Sequence, residues 1–407
     1  MSIRVASFNI SFSRPQAGDL YRALCANEAS LRHCAAILRR VRPDIVLLNE
    51  FDHDGEGRDS HPLTYFCTHY LQAQQADAER DDVEWDTHSS EECSSEEWDT
   101  HSLAGEPLVY PYRYLLPTNT GLLAPVDLDG DGQVSLPGDG LGFGTFHGQY
   151  GMALLSRFPL LSEQIRSLRG FLWRDMPGAQ LPIGADGVSP YYSPEALAVL
   201  RLSSKNHLLL PVQIGERTLQ LLLSHPVPPV FDGPERRNRC RNHDEIRLWA
   251  DLFDGADYLK DEAGFPVTLP AAASFVLLGD LNADPQAGDG DRRAIQRLLA
   301  HPRVNQQASL GKWVPRSRGA LEHAAKGRSR ASEESAQAQA ANWTHLRGLR
   351  LDYVLPSADL VVSNSGVFWP GRDEPGRELI ADPAYPQRPE QASWSSDHRL
   401  VWVDIEI

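Results

Sequence analysis

Short apolar runs that end in polar residues recur along the whole chain, and they constrain its fold more than any other feature. The runs span Ile3 to Ile10, Ile45 to Leu48, Met152 to Leu155, Leu219 to Leu223, Phe275 to Leu278, Leu351 to Leu355 and Leu400 to Ile405. Their length and their β-branched or aliphatic content are typical of buried strands. Each run is therefore predicted to be a strand of a sheet with a covered face.

Helical patterns lie between the predicted strands. From Ala29 to Arg40, apolar residues recur at steps of three and four, and Pro43 follows the segment. Asp244 to Phe253 shows a second pattern of this kind. Because strands and helices are distributed over the whole length, the sequence indicates an α/β sandwich with one core. We therefore expect one domain over residues 1–407.

Two polar stretches interrupt this pattern and are expected to be surface insertions. Residues 77–105 are acidic and contain a Glu-Trp-Asp-Thr-His-Ser segment at 84–89 that is repeated at 97–102. Two copies are too few for a solenoid, so a local duplication in a loop is the simplest interpretation. Residues 319–341 are rich in Ala, Ser, Gln, Lys and Glu, which favours a mobile loop or an exposed helix.

Charge and cysteine content argue against several classes of protein. The formal net charge of −16 does not favour long nucleic acid as a partner, because such proteins usually cluster Lys and Arg on one face. The basic stretch from Arg236 to Arg241 is either a site for one anionic group or a solvated loop. Five cysteines without close paired spacing argue against a zinc or disulfide framework.

The sequence also bears on location. The N-terminal residues lack the apolar stretch of a secretory signal, and no apolar run is long enough to span a membrane. We therefore expect no membrane span and a cytoplasmic location, unless a leader was removed, in which case the protein would be extracytoplasmic. We expect it to act as a monomer.

The strongest local motif follows the predicted strand from Phe275 to Leu278. Asp280 and Asn282 come directly after it, and side chains two residues apart in an extended segment point to the same side. A carboxylate that orients water would then lie beside an amide that holds a phosphate oxygen. The alternative is an ordinary turn or cap, since Asp and Asn favour such positions.

Other predicted strands also end next to polar side chains. These are Asn9, Glu50, His225, Asp352, Asp397 and His398. Burying each of them without a partner would be costly, so we expect them to meet at one edge of the sheets. Carboxylate and amide oxygens with few cysteines nearby suit a hard cation such as Mg²⁺ or Mn²⁺.

Together with the segment from Gln149 to Arg157, this ordered set resembles the endonuclease/exonuclease/phosphatase superfamily over residues 3 to 405. The resemblance implies an α/β fold, a four-layer α/β/β/α sandwich with two packed mixed sheets and long surface insertions. It also implies a divalent-metal-dependent hydrolase of phosphate esters, either a phosphodiesterase or a phosphomonoesterase. The alternatives are a nonspecific nuclease and a catalytically silent binding module of the same fold.

The resemblance assigns roles to individual residues. Glu50 would be the principal metal ligand, with Asn9 beside it and Asp397 as a further ligand. Asp280 would orient or deprotonate the attacking water, and Asn282 would hold a phosphate oxygen.

Two histidines complete the implied site. His398 would donate to the phosphate in the transition state, kept cationic by Asp352, and His225 would also contact the phosphate. Such groups stabilise the negative charge of phosphoryl transfer. The sequence departs from abasic-site endonucleases after His225, because a proline-rich stretch at 226–234 replaces their Pro-Asn continuation. Specificity for abasic sites is therefore in doubt.

Three basic residues are candidates for substrate binding, namely Arg201, Lys205 and Arg236. Arg201 and Lys205 precede a short apolar run and would line a pocket, whereas the alternative is an exposed strand end.

A loop before the Gln149 segment carries the first half of a calcium-binding pattern. Positions 1, 3, 5, 6 and 7 are Asp127, Asp129, Asp131, Gly132 and Gln133. Position 12, where an EF-hand has Glu, is Gly138, and Asp139 follows it. We therefore expect a structural Ca²⁺ loop that uses Asp139 or another distant carboxylate, with a polar turn as the alternative.

Overall fold

Two β-sheets with helices packed against them make up the described part of the chain, which in this computed structural model comprises residues 1–73, 106–326, 339–380 and 394–407. The strands are β1 (Ser2–Asn9), β2 (Ile45–Asn49), β3 (Tyr112–Leu116), β4 (Met152–Ser156), β5 (Arg166–Ser167), β6 (His207–Ile214), β7 (Arg217–Ser224), β8 (Phe275–Asp280), β9 (Asp352–Pro356), β10 (Val361–Val367) and β11 (Val401–Glu406). The α-helices are α1 (Asp19–Cys25), α2 (Ala29–Val41), α3 (His61–Tyr65), α4 (Pro194–Val199), α5 (Arg237–Phe253), α6 (Arg292–Leu299), α7 (Gln306–Ser309) and α8 (Arg318–Lys326). A π-helical turn lies at Phe66–Leu71, and 3₁₀ turns lie at Ser162–Gln164, Trp173–Asp175 and Arg377–Leu379.

The strand order brings several strand ends to the same edge. One sheet has the order β10-β11-β1-β2-β4-β3, and the other has the order β5-β6-β7-β8-β9. β1 pairs with β2 in parallel, as does β7 with β8, so the carboxyl ends of each pair lie side by side. β11 and β9 run antiparallel to β1 and β8 and therefore begin where those strands end.

The side chains of the second sheet alternate between two apolar layers. Leu221 and Leu223 of β7 pack in the cluster that contains the apolar residues of β1 and β2. Leu222 points the other way and packs with Ile246 and Trp249 of α5. This period of two is the geometry of an extended strand with both faces buried.

Helices cover the outer face of each sheet. The apolar side of α2 joins the cluster that includes the first sheet, whereas α5 and α6 pack together on the second sheet. β1 also contacts β8 and β9 across the interface between the sheets. The predicted four-layer α/β/β/α sandwich is therefore confirmed, while its description as a single domain stays a prediction.

Each apolar run predicted as a strand lies in an observed strand or extends beyond it by no more than one residue, but strands with weaker patterns were missed. The missed strands are β3, β5 and β10, and β6 was indicated only by the short apolar run after Lys205. β6 contains Pro211, and a proline usually argues against the interior of a strand because it has no N–H to donate. β5 pairs with β6 only at Leu208 and Leu209, so Pro211 lies beyond this pairing. α5 begins at Arg237, earlier than predicted, so the basic stretch forms the first turns of a helix instead of a loop.

The insertions are described in part. The predicted insertion at 77–105 lies outside the described residues. Of the segment 319–341, residues up to 326 belong to α8, whose Ala320 is fully buried, so this helix is not simply exposed. Within the described ranges, no helix is both long and apolar enough to cross a membrane.

The cysteines of the described residues are of two kinds. Cys25 is disulfide-bonded, which its spacing in the sequence did not predict. Cys34, Cys67 and Cys240 are free thiols.

Candidate active site

Three polar side chains meet where the two sheets face each other. Asn9 is the last residue of β1, Glu50 directly follows β2, and Asp280 ends β8. The Asn9 amide Nδ2 donates to Glu50 Oε1 at 3.1 Å and to Asp280 Oδ2 at 3.0 Å. One side-chain amide thereby links carboxylates that belong to opposite sheets.

Two histidines approach Asp280 from other strand ends. His225 follows β7, and its Nε2 lies 3.5 Å from Asp280 Oδ2. His398 lies just before β11, and its Nε2 is 3.7 Å from the same oxygen. Both rings are buried, so Asp280 Oδ2 is the point on which the polar groups converge.

Asp352 orients His398. The register of β8 and β9 places Asp352 opposite Asp280, and His398 Nδ1 lies 2.8 Å from Asp352 Oδ2. Thr344 Oγ1 donates to the same oxygen at 2.7 Å. Because an ionised carboxylate accepts hydrogen bonds and donates none, Nδ1 carries the proton and the ring is fixed with Nε2 toward Asp280.

Burial and neighbouring charges separate the protonation states of the two histidines. Burial alone would lower the pKa of His398, but the carboxylates of Asp352 and Asp280 outweigh it and raise that pKa to about 10. Burial lowers the pKa of His225 far below its usual value, and the charge of Lys205 adds to this effect. At neutral pH, His398 is therefore a cation and His225 a neutral hydrogen-bonding group.

The two central carboxyl groups lie in surroundings that fit a divalent cation. Burial raises the pKa of Glu50 and that of Asp280, and the charge of His398 opposes both shifts. Glu50 Oε2 accepts no hydrogen bond from any residue that the structure describes, so this oxygen is available to a ligand. A bound cation would favour the ionised form of both groups, and carboxylate oxygens are the ligands that Mg²⁺ and Mn²⁺ prefer.

The structure adds a histidine that the sequence analysis did not identify. His345 Nε2 lies 3.3 Å from Asp397 Oδ2, and the His345 ring is 4.5 Å from that of His398 between centroids. The backbone N–H of Arg347 donates to His345 Nδ1, so Nε2 carries the proton and donates to Asp397. His345 lies in a turn that no apolar run precedes, so the strand-end pattern contained no signal for it.

Asn282 lies at the site because of a turn, and not because of the strand alternation that was predicted. β8 ends at Asp280, and Asn282 has a positive φ of 52°, so the alternation of an extended strand does not apply. The Asn282 backbone N–H donates to Asp280 Oδ1 at 2.9 Å, and its side-chain Nδ2 donates to the Pro226 carbonyl at 3.1 Å. A tight turn therefore places both side chains at the same cavity.

A cavity of about 790 Å³ opens over these groups. Its apolar wall includes Leu128, Phe143, Tyr150, Tyr192, Leu200 and Val227. Of the three basic residues predicted to bind substrate, Lys205 lines the cavity, whereas Arg201 and Arg236 do not. Arg201 donates a hydrogen bond to Asn119 Oδ1, and Arg236 is exposed. Arg237 and Arg241 of α5 line the cavity instead, together with Arg347. The volume is in the range of sites for small organic ligands.

The predicted calcium loop is a compact turn beside the cavity. Asp127, Asp129 and Asp139 offer oxygens within 4.8 Å of one another, whereas Asp131 and Gln133 lie outside this group. The carboxylates of Asp127, Asp129 and Asp139 also accept hydrogen bonds from backbone N–H groups of the loop, as Asp139 does from Leu128 at 2.5 Å. Asp139 therefore lies close to the first two aspartates, but these hydrogen bonds stabilise the turn without an ion.

The sequence matches the model of the Endonuclease/Exonuclease/phosphatase family over residues 6–398. The chain belongs to this family. Family members are mostly hydrolases that act on phosphate esters, and they typically use a divalent metal ion. No curated protein matches the sequence.

Several solved structures are similar to the chain. An endonuclease/exonuclease/phosphatase from Beutenbergia cavernae DSM 12333 has 16% identity and a TM-score of 0.47, with 100% of this chain and 72% of that chain covered. Truncated Caenorhabditis elegans TDP2 has 12% identity and a TM-score of 0.43, with coverages of 100% and 98%. The human Nocturnin catalytic domain with bound sulfate has 15% identity and a TM-score of 0.43, with coverages of 100% and 93%.

Proposed function

We propose that this family member is a divalent-metal-dependent hydrolase of phosphate esters. The observation that carries the proposal is the convergence of Asn9, His225 and His398 on one oxygen of Asp280. Burial raises the pKa of Asp280, which suits a general base that works near neutral pH.

Each residue around the cavity has a distinct role in this proposal. Asp280 orients the attacking water and accepts its proton, and Asn282 holds a phosphate oxygen. The cationic His398 donates from Nε2 to another phosphate oxygen, while Asp352 keeps its ring oriented. The neutral His225 contacts the phosphate as a hydrogen-bond donor.

The metal ligands in this proposal are Asn9, Glu50 and Asp397. A bound Mg²⁺ or Mn²⁺ would neutralise charge on the phosphate group and favour attack by water. His345 donates to Asp397 and thereby fixes one carboxylate of the set.

A panel of substrates tests the function. We expect turnover of p-nitrophenyl phosphate or bis-p-nitrophenyl phosphate with added Mg²⁺ or Mn²⁺, and weaker action on plasmid DNA because the net charge of −16 repels a polyanion. Plasmid cleavage that far exceeds both small esters would instead establish a nonspecific nuclease. Metal binding without turnover of any phosphoester would favour a silent binding module.

Calcium would act at a separate place in this proposal, in the loop of Asp127, Asp129 and Asp139. Millimolar Ca²⁺ is expected to raise the Tm by about 2–5 °C, because an ion that binds the folded form stabilises it. Thermal unfolding of the wild type and of the double variant Asp127→Ala with Asp129→Ala checks this, since the variant should lose the increase. An equal increase in both proteins would show that these aspartates do not hold the ion.

A further inference from the structure

Four Lys and Arg side chains line the cavity of a chain whose net charge is strongly negative. They are Lys205, Arg237, Arg241 and Arg347, of which Arg347 is exposed. Within the described ranges, no carboxylate oxygen lies within 4.0 Å of the Lys205 ammonium or the Arg241 guanidinium, and the Glu235 carboxylate is 3.9 Å from Arg237 Nε. Lys205 and Arg241 thus lack an ion-pair partner among the described residues, although acidic groups are abundant in the sequence, and an anionic ligand would supply one.

Lys205 is the least exposed of these four residues. Its residue is 6% exposed, and its Nζ makes no hydrogen bond with any part of the chain that the structure describes. Burial lowers the pKa of Lys205, and the charges of Glu245, Glu50 and Asp280 oppose that shift. A buried ammonium without a hydrogen-bond partner is costly, and an anionic ligand would offset that cost.

Arg241 is anchored but not neutralised. It is 8% exposed, and its Nε donates to the Leu202 carbonyl at 2.9 Å. Its Nη2 donates to the carbonyls of Leu141 at 2.6 Å and Arg201 at 2.8 Å. These bonds fix the plane of the guanidinium, while Nη1 has no partner among the described residues. A fixed guanidinium with one free nitrogen is suited to a carboxylate or phosphate.

Glu245 does not form an ion pair with either buried cation. It is the acidic residue whose charge acts most strongly on both Lys205 and Arg241. Its oxygens, however, accept the backbone N–H groups of Ser204 at 2.6 Å and Val227 at 2.7 Å. Its carboxylate therefore holds the backbone, and the hydrogen-bonding capacity of the cations remains open to a ligand.

Two of the cations lie on a helix and not at the strand ends that carry the catalytic groups. Arg237 and Arg241 are four residues apart on the same face of α5, and both line the cavity. Lys205 lines the same cavity together with Glu50 and Asp280. A phosphate at Asp280 therefore leaves the arginines of α5 available to a second anionic group.

We propose that the cavity binds a phosphate ester that carries a second anionic group, a phosphate or a carboxylate, and that Arg241 and Arg237 form the subsite for it. The inference rests on the proposed function, because the scissile phosphate is placed at Asp280. The apolar side chains of Tyr192 and Leu200 line the same cavity and face the organic part of the substrate. The substrate class is therefore a small organic phosphoester with two anionic ends.

Three ligand series test this subsite by titration calorimetry at constant Mg²⁺. Alkyl monophosphates, alkanediyl bisphosphates and ω-carboxyalkyl phosphates are compared at each chain length. At one length, a doubly anionic ligand is expected to bind about 10- to 100-fold more tightly than the monophosphate, as charge-assisted hydrogen bonds imply. The series with the larger ratio identifies the second group as phosphate or carboxylate.

Substitutions on one helix provide the controls. Arg241→Met and Arg237→Met are each expected to bring the affinity ratio close to unity, and Arg241→Lys should restore part of it. Arg239→Met is the matched control, since Arg239 lies between them in sequence, on a different face, and does not line the cavity. If Arg241→Met fails to fold, as its melting curve would show, Arg237→Met decides.

Two results would overturn the subsite. One is equal affinity of mono- and dianionic ligands at every length, and the other is an equal loss of the ratio in Arg239→Met. Hydrolysis without the affinity ratio would reject the subsite alone. The affinity ratio without hydrolysis of any phosphoester would support the subsite and reject the proposed function.

Discussion

Exhaustive removal of divalent metal ions is expected to reduce phosphoester hydrolysis to the background rate, and Mg²⁺ or Mn²⁺ is expected to restore it. The partly buried carboxyl group of Glu50 has an oxygen that accepts no hydrogen bond from the described residues, and a cation there would neutralise charge on the phosphate. Turnover of the best panel substrate is measured before and after chelation, with the metal content verified by elemental analysis.

Glu50→Gln provides a second readout for the same prediction. The amide keeps the shape of the side chain and removes one negative charge, so the variant should bind Mg²⁺ more weakly in a calorimetric titration. Full activity of protein shown to be free of metal would contradict the metal-dependent mechanism. Unchanged Mg²⁺ affinity in a folded Glu50→Gln variant would remove Glu50 from the ligand set.

Asp280→Asn is expected to lower kcat by about 10²- to 10⁴-fold, the usual contribution of a general base. The substitution preserves size, and the amide oxygen can still accept the hydrogen bond from Asn9 Nδ2. Steady-state kinetics at saturating substrate and metal measure the effect, and a melting curve establishes that the variant is folded.

Asp175→Asn is the matched control for this variant. The Asp175 carboxylate is largely exposed, lies 3.7 Å from Arg174 and does not line the cavity, so its loss should leave kcat unchanged. A folded Asp280→Asn variant with the kcat of the wild type would show that Asp280 has no part in proton transfer.

Apolar patterning predicted the layers of the fold but not all of its strands. β8 begins with a continuous apolar run, and β11 alternates buried apolar residues with less buried ones, so the sequence indicates the burial of both strands directly. β10 contains Ser, Asn and Gly, and its pairing with β11 stabilises it as a strand. The two strands are well separated in the sequence, so this contact is not visible in the local composition of β10. The first turns of α5 were missed because they are polar, and their helical state follows from continuity with the apolar turns that come next.

The candidate site was predictable where its residues follow apolar strands. Asn9, Asp280 and His398 are of this kind, and the structure brings them together. His345 and Arg241 are of another kind, because a turn and a helix carry them to the cavity. Their positions depend on how the turn and the helix pack on the sheets. This packing is set by contacts between residues that are distant in the sequence, so no local sequence pattern predicts it.

The Asn9 amide joins acceptors on opposite sheets, and this has a consequence for how the protein would lose activity. If one sheet slid over the other, at least one of the two hydrogen bonds would lengthen, and the carboxylates of Glu50 and Asp280 would move apart. Heat or denaturant should therefore abolish turnover in the same transition in which the sheets separate. A partly opened form would have Glu50 and Asp280 separated and should be inactive. The residual activity would therefore measure the fraction of molecules in which the sandwich is intact.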